Sequence, residues 1–400
     1  MKALFASLSL IALAACSESS ETTSSHAETA TRLAQETVIV DTHIDVPYRL
    51  GNGWEDLSKA TEKGDFDYPR AVAGGLNAPF MSIYTPAQYD GTPKAKEHAD
   101  EMINLVERLV ASAPDKFMIA RNPDEVEAAF STSKIALPLG MENGSPISGD
   151  LANLDYFFER GIRYITLAHS KSNHISDSSY DVERQWNGLS DFGKQTVVRM
   201  NELGIMIDIS HVSDEAFYDV MEISATPVIA SHSSARRFTP GFERNMSDDM
   251  IKALVKNGSL IMINYGSAFI TETANKYRPA RDEAYTKYLM KTEQEDSTDL
   301  KDKFSAEYLA TNPYPFADIS DVLDHFDHVV KIAGIDYVGI GSDYDGVGDS
   351  LPTGLKDAAS YPALIEGLLD RGYSETDIKK ILSGNLMRVW RTVEAYAAAH

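Results

Sequence analysis

VIVDTHIDVP, residues 38–47, is an apolar run that passes directly into Asp41, His43 and Asp45. In a strand successive side chains alternate between faces, so these three residues are expected on one side. Two carboxylates and an imidazole on the buried face of a strand are costly without partners. A divalent cation is the simplest partner, since it takes nitrogen and oxygen donors and supplies the compensating charge. A capped strand end with a satisfied histidine would read the same way over so short a motif.

Seven further apolar runs follow: residues 76–85, 134–143, 162–170, 204–211, 227–234, 259–266 and 337–346. None alternates in and out, as expected for parallel strands covered on both faces. Amphipathic stretches at 95–112, 189–203, 247–257 and 320–333 lie between them. Strands alternating with helices about eight times predict an α/β chain closed as a (β/α)8 barrel; an open doubly wound sheet is the alternative. No G-x-G-x-x-G follows an early strand, so dinucleotide binding has no support. Residues 267–319, rich in Lys, Glu, Asp and Tyr, read as a helical insertion after strand seven, where a lid or a homodimer contact is open to it. Asn385 and Arg388, in the closing helical region, are assigned to packing and capping.

Barrel enzymes of this kind collect their chemistry at the C-terminal ends of the strands. Those ends carry His43 and Asp45, Glu142, His169, His211, His232, Asp343 and Asp345. Four of the ten histidines therefore converge on one mouth with carboxylates between them, a donor set for metal. His43, Asp45, His211 and His232 exceed the needs of one open catalytic ion, which suggests two, with Glu142 as the bridge. Lys171 is a weaker candidate bridge. His325 and His328 sit at i and i+3 on a helix at the other end and are read as structural.

The first residues, MKALFASLSLIALAAC, have a basic start, a short apolar run and small residues before Cys16, as in a secretory signal. Cys16 is the single cysteine of the chain, and Leu13–Cys16 resembles the lipobox of bacterial lipoproteins. The expected organisation is a signal peptide over 1–15, a lipidated flexible tether over 16–31 with His26 solvated, and one domain over 32–400. The expected location is the bacterial cell envelope, lipid-anchored and facing the periplasm. With no other cysteine there is no disulfide and no thiolate ligand, so any metal rests on His, Asp and Glu. The net charge of −23, or −24 without Lys2, argues against nucleic-acid binding and against electrostatic adhesion to anionic lipid.

Several stretches, in order, resemble the membrane dipeptidase (renal dipeptidase) family of zinc peptidases. They are DTHIDVP (41–47), GGLNAPFMSIYTP (74–86), GMENGSP (140–146), GIRYITLAH (161–169), GLSDFGK (188–194) and IDISHVS (207–213). PVIASHSSAR (227–236), ERN (243–245) and VGIGSDYDGV (338–347) continue the series. The resemblance implies a (β/α)8 barrel of the metal-dependent hydrolase type and two Zn2+ ions. His43 and Asp45 would hold one, His211 and His232 the other, with Glu142 bridging. His169, Arg244 and Asp343 would match the substrate-handling positions. The implied reaction is hydrolysis of small dipeptides with a free C-terminal carboxylate by a metal-bridging hydroxide. His169 would stabilise the oxyanion, and Asp343 would carry the proton to the leaving amine. The neighbouring Arg236 and Arg237 are read as solvated. Asn143 and Ser145–Pro146 stand where relatives often have Gly and Gly-His, and NHISDSSY (173–180) is closer to bacterial members. Another metal-dependent amidohydrolase, a deaminase or lactonase, and a non-catalytic binding lipoprotein are the alternatives.

Overall fold

The computed structural model describes residues 25–400, so Cys16 and the expected signal segment lie outside it. Eight parallel strands form one sheet: β1 (Ile39–Ile44), β2 (Leu76–Tyr84), β5 (Leu139–Glu142), β6 (Ile162–Thr166), β7 (Met206–Asp208), β8 (Ile229–Ser233), β9 (Leu260–Ile263) and β10 (Val338–Ile340). They lie in sequence order, and a parallel bridge between Ile44 and Tyr344 joins the last to the first. Asp343 N–H donates to His43 O at 3.0 Å and Asp45 N–H to Tyr344 O at 2.8 Å, which closes the barrel where the two acidic strand ends meet. Each expected run contains one barrel strand. The run at 134–143 also breaks at Pro138, which has no N–H to donate. Its first half, β4 (Ile135–Leu137), pairs instead with β3 (Phe117–Ile119) in a separate two-stranded sheet.

Two apolar clusters hold the layers together. The inner one packs Val40, Phe80, Tyr164, Met206 and Met262 inside the barrel against Trp390 of the C-terminal helix Asn385–Ala399. That helix is fixed at the N-terminal ends of the strands. Asn385 donates to the carbonyls of Ile335 and Val338, both at 2.8 Å, and Arg388 to those of Gly258 and Asp336. The outer cluster, with Ile39 and Ile44, lies between strands and helices.

The inner placement of Val40 corrects the reading of Asp41. Asp41 faces the outer layer, where it accepts Tyr361 O–H at 2.5 Å and the N–H of Ser342 at 3.0 Å. It therefore does not share a face with His43 and Asp45. The strand register shifts between Asp41 and Ile44, and that irregularity breaks the alternation and turns His43 inward. The N-terminal boundary also moves. The helix His26–Glu36 starts within the stretch read as tether, buries Ala30, Leu33 and Ala34, and packs on the helix Tyr361–Asp370. The insertion after β9 is helical, with Glu272–Thr292 and Thr298–Thr311 as its main elements. Among the described residues no helix is long and apolar enough to cross a membrane.

His325 and His328 are bound structurally. His328 Nε2 lies 2.7 Å from Asp248 Oδ1. His325 is fully buried; its Nδ1 accepts the N–H of Ala235 at 3.0 Å, so Nε2 donates to Ile270 O at 2.9 Å. Burial pushes the His325 pKa from 6.5 down to about 4. An unfolded chain then binds a proton that the folded one refuses. The stability contribution is full above about pH 6.5 and is lost as pH falls toward about 4. The gap is worth about 3 kcal/mol. Urea melts of wild type and His325→Gln between pH 7 and 4 should therefore converge as the pH falls, and parallel curves would refute this linkage.

Candidate metal centre and active site

Every strand-end candidate but Asp345 reaches the same mouth; the Asp345 carboxylate turns away to accept Arg49 Nη1 at 2.9 Å and the N–H of Asp65 at 2.7 Å. Asp45 sits at the N-cap of the helix Val46–Asn52, yet its carboxylate makes no capping bond. It turns instead to His43, with Oδ2 3.5 Å from Nε2. Glu142, the last residue of β5, lies between two groups. Its Oε2 is 3.6 Å from His43 Nε2, while Oε1 is 3.2 Å from His211 Nε2, 3.4 Å from His232 Nε2 and 3.3 Å from His169 Nε2. One carboxylate thus offers one oxygen to each of two donor clusters. Asp343 joins the first cluster with His43 and Asp45. Between them only a bare backbone fits: a Cβ on Gly346 would lie 2.2 Å from both Asp343 Oδ1 and Asp45 Oδ2.

The chain bends sharply to present these groups. His211, Asp343 and Asp345 hold φ of 68°, 64° and 65°, and Asn143, next to Glu142, holds 77°. Non-glycine residues in the left-handed region are uncommon, and their concentration here marks a site that the surrounding fold keeps in place. Asn143 tolerates this conformation, which otherwise favours glycine, better than most residues. Its side chain also donates to Thr85 O at 2.8 Å and accepts from Asn173 at 2.9 Å, tying three loops together.

Two of the imidazoles, His43 and His232, have their tautomers set from behind, by residues that sequence reasoning missed. Tyr164 donates its hydroxyl proton to Thr42 O at 3.0 Å, so its oxygen accepts His43 Nδ1–H at 2.8 Å and leaves the Nε2 lone pair facing the mouth. Ser231 donates to Asp208 Oδ2 at 2.6 Å and accepts His232 Nδ1–H at 2.7 Å, which frees Nε2 likewise. Asp208 is further fixed by the N–H groups of Ser210 and Ser231 and by the Thr166 hydroxyl. Asn264 donates to Asp343 Oδ2 at 2.7 Å. The carboxylate of Asp208 inside the apolar run GIMIDISH was the one available signal for this support.

These groups fit divalent metal. His43 Nε2 and His211 Nδ1 are buried with no hydrogen-bond partner, and His43 Nε2 faces two carboxylates. Burial, together with Arg244 and the other imidazoles, keeps His211 and His232 well below the ordinary histidine pKa, the neutral form a metal requires. Burial raises the Glu142 pKa, but His169, His43 and His211 more than offset it and hold the group well below the usual range. Burial opposes protonation of His43 as well, yet Tyr164, Glu142 and Asp45 raise its pKa well above normal. Asp343 moves up, chiefly through burial and then through Asp45 and Glu142. Lys171 takes no part: its Nζ pairs with Asp181 at 2.7 Å on the surface.

His169 stands at the rim, its ring 4.9 Å from Tyr84 and 4.2 Å from His211. Arg244 is 3% exposed. Its Nη1 donates to Ser233 Oγ and its Nη2 to His232 O, both at 2.7 Å. A guanidinium has five N–H donors, so Nε–H and one on each Nη remain. Arg237 is exposed as expected, but Arg236 is not solvated: it is ion-paired to Asp214 at 2.5 Å, because two flanking carbonyls and a carboxylate surround it.

Comparison with known proteins places this geometry. The family model described as membrane dipeptidase (peptidase family M19) matches residues 27–400. Mouse dipeptidase 3 is 32% identical over 376 residues, covering 92% of this chain; the chain spans 66% of that relative's length. The probable dipeptidase PvdM from Pseudomonas aeruginosa superposes with a TM-score of 0.82 at 27% identity, covering 93% of this chain and 99% of the other. A metallo peptidase from Rhodobacter sphaeroides, solved with a phosphinate mimic of the dipeptide L-Ala-D-Ala, shares the fold with a TM-score of 0.72 at 24% identity. That superposition covers 89% of this chain and 99% of the other.

Proposed function

We propose that this chain, which belongs to the membrane dipeptidase family, is a zinc-dependent dipeptidase acting on short peptides with a free C-terminal carboxylate. The observation that carries the reading is Glu142, one oxygen turned to His43 and the other to His211 and His232. His43 and Asp45 would hold one ion and His211 and His232 the other, with Glu142 shared. Zinc held by these residues would supply Lewis acidity at the scissile carbonyl and would lower the pKa of water enough for hydrolysis at neutral pH.

The remaining work falls to the chain's own side chains. His169, at the rim beside Glu142, donates a hydrogen bond to the oxygen that gains charge. Asp343, oriented by Asn264, takes the proton from the attacking water and returns it to the leaving amine. Arg244 receives the terminal carboxylate on its remaining N–H donors. Tyr84 and Tyr180, whose rings flank His169 and His211, wall the mouth and limit the room for longer peptides.

A panel of dipeptides, N-acyl amino acids and lactones, assayed with and without chelator, tests the reading. Chelator-sensitive turnover confined to the dipeptides is expected. Turnover of lactones or N-acyl amino acids in preference to dipeptides would replace it with another hydrolase. The lipobox-like Leu13–Cys16 further supports a periplasm-facing lipid anchor on the cell envelope. Each buried CH2 of a lipid contributes about 0.8 kcal/mol, so Cys16→Ser should move the protein to the soluble fraction with unchanged specific activity. Continued sedimentation with membranes would exclude the anchor.

A further inference from the structure

Two ion pairs converge on the three-residue segment that carries Arg244. Arg236 is bidentate to Asp214, Nη1 to Oδ2 at 2.7 Å and Nη2 to Oδ1 at 2.5 Å. The same guanidinium donates from Nη2 to Glu243 O at 2.9 Å and from Nε to Asn245 O at 2.7 Å, the two carbonyls that flank Arg244. The Glu243 carboxylate accepts Arg184 Nη2 on both oxygens at 2.5 Å, and its Oε1 also accepts the N–H of Asp214 at 2.9 Å. Arg184 belongs to the loop that follows His169 and donates to Ser178 O at 2.8 Å. Asp214 opens the helix that follows His211.

We infer that Arg184, Asp214, Arg236 and Glu243 are positioning residues that preset the Arg244 fork, and so determine how strongly a free carboxylate is preferred over a neutral chain end. This rests on the carboxylate-binding role proposed for Arg244. A loop held only for stability needs no such investment, because part-exposed ion pairs stabilise little. Their side chains are 18–31% exposed and yet fully engaged. A fork fixed in advance loses little conformational freedom when substrate binds, whereas a mobile one must be ordered at the expense of affinity. The pairs also tie Arg244 to the segments after His169 and His211, so that the carboxylate subsite and the two histidines keep one spacing.

The test uses the full chain loaded with zinc, with alanyl-alanine and its C-terminal amide as substrates. Glu243→Gln and Arg236→Lys should each lower the acid-over-amide preference about tenfold through KM for the acid, since small misplacements of a binding group have effects of this order or larger. Values of kcat for the acid, kcat/KM for the amide and zinc content should stay within about twofold. Should Glu243→Gln fold poorly, Arg236→Lys reads the same quantity. A parallel loss on both substrates, or an unchanged preference, overturns the clamp. If Arg244→Ala also keeps the wild-type preference, the carboxylate-binding reading itself fails, and the clamp with it.

Discussion

Replacing Glu142 with alanine is expected to remove more than one metal ion's worth of binding per chain and to abolish turnover. The carboxylate touches both donor clusters, through Oε2 at His43 and through Oε1 at His211 and His232. Losing even an outer partner of a metal ligand typically costs about 10–100-fold in metal affinity or activity. A carboxylate contributed directly to two ions should exceed about 100-fold at each of them. His232→Ala is the matched control: its ring also stacks on His43 at 3.7 Å, but it would be a ligand of the second ion alone, so its loss should chiefly weaken one ion. Ser231→Ala should produce a milder form of the His232 defect, because it removes only the acceptor that fixes Nδ1–H. Elemental analysis of the purified proteins after dialysis reads all three. Close to two divalent ions are expected in wild type, and a single tightly bound ion in fully active protein would defeat the binuclear reading.

What could be read in advance was whatever obeys a local period. Eight apolar runs predict eight strands because a parallel sheet covered on both faces admits no other pattern, and strand-end polar residues then fall on one rim. His43, Glu142, His211 and His232 were legible for that reason. Asp41 was misplaced because the rule that located it, strict alternation, fails where the register shifts between Asp41 and Ile44. The small β3–β4 sheet was missed because the run at 134–143 is uniformly apolar on both sides of Pro138, and only tertiary pairing divides it. Arg236 looked like surface charge since its carboxylate partner, Asp214, is 22 residues away in sequence and adjacent only in space. Tyr164, Ser231 and Asn264 carry no signal of their own. A tyrosine in a strand or a serine beside a histidine is common, and its role exists only once the fold brings it behind a ligand.

The proposed acid-over-amide preference should disappear in Arg244→Ala while metal content stays at the wild-type value. A dipeptide offers few features to recognise, and its free carboxylate is the one that separates it from an internal stretch of polypeptide. Arg244 is nearly fully buried, fixed by Ser233 Oγ and His232 O, with its Nε–H and one N–H on each Nη uncommitted. A planar fork with parallel donors matches a carboxylate in two contacts, which an ammonium cannot reproduce. Truncating one partner of such a buried charged contact typically costs about 2–5 kcal/mol. That corresponds to a fall of roughly 30- to 4,000-fold in kcat/KM for the free acid. The amide never makes the full contact, so its kcat/KM should change far less. Arg244→Ala also removes the donors to Ser233 Oγ and the His232 carbonyl, so a shift of His232 could reduce activity for another reason. Two measurements separate the causes. Metal content should remain at the wild-type value if His232 keeps its place, and Arg244→Lys should recover only part of the preference, since it restores charge without the fork. A mutant that lost activity equally on acid and amide, or that discriminated as well as wild type, would show that the carboxylate is held elsewhere.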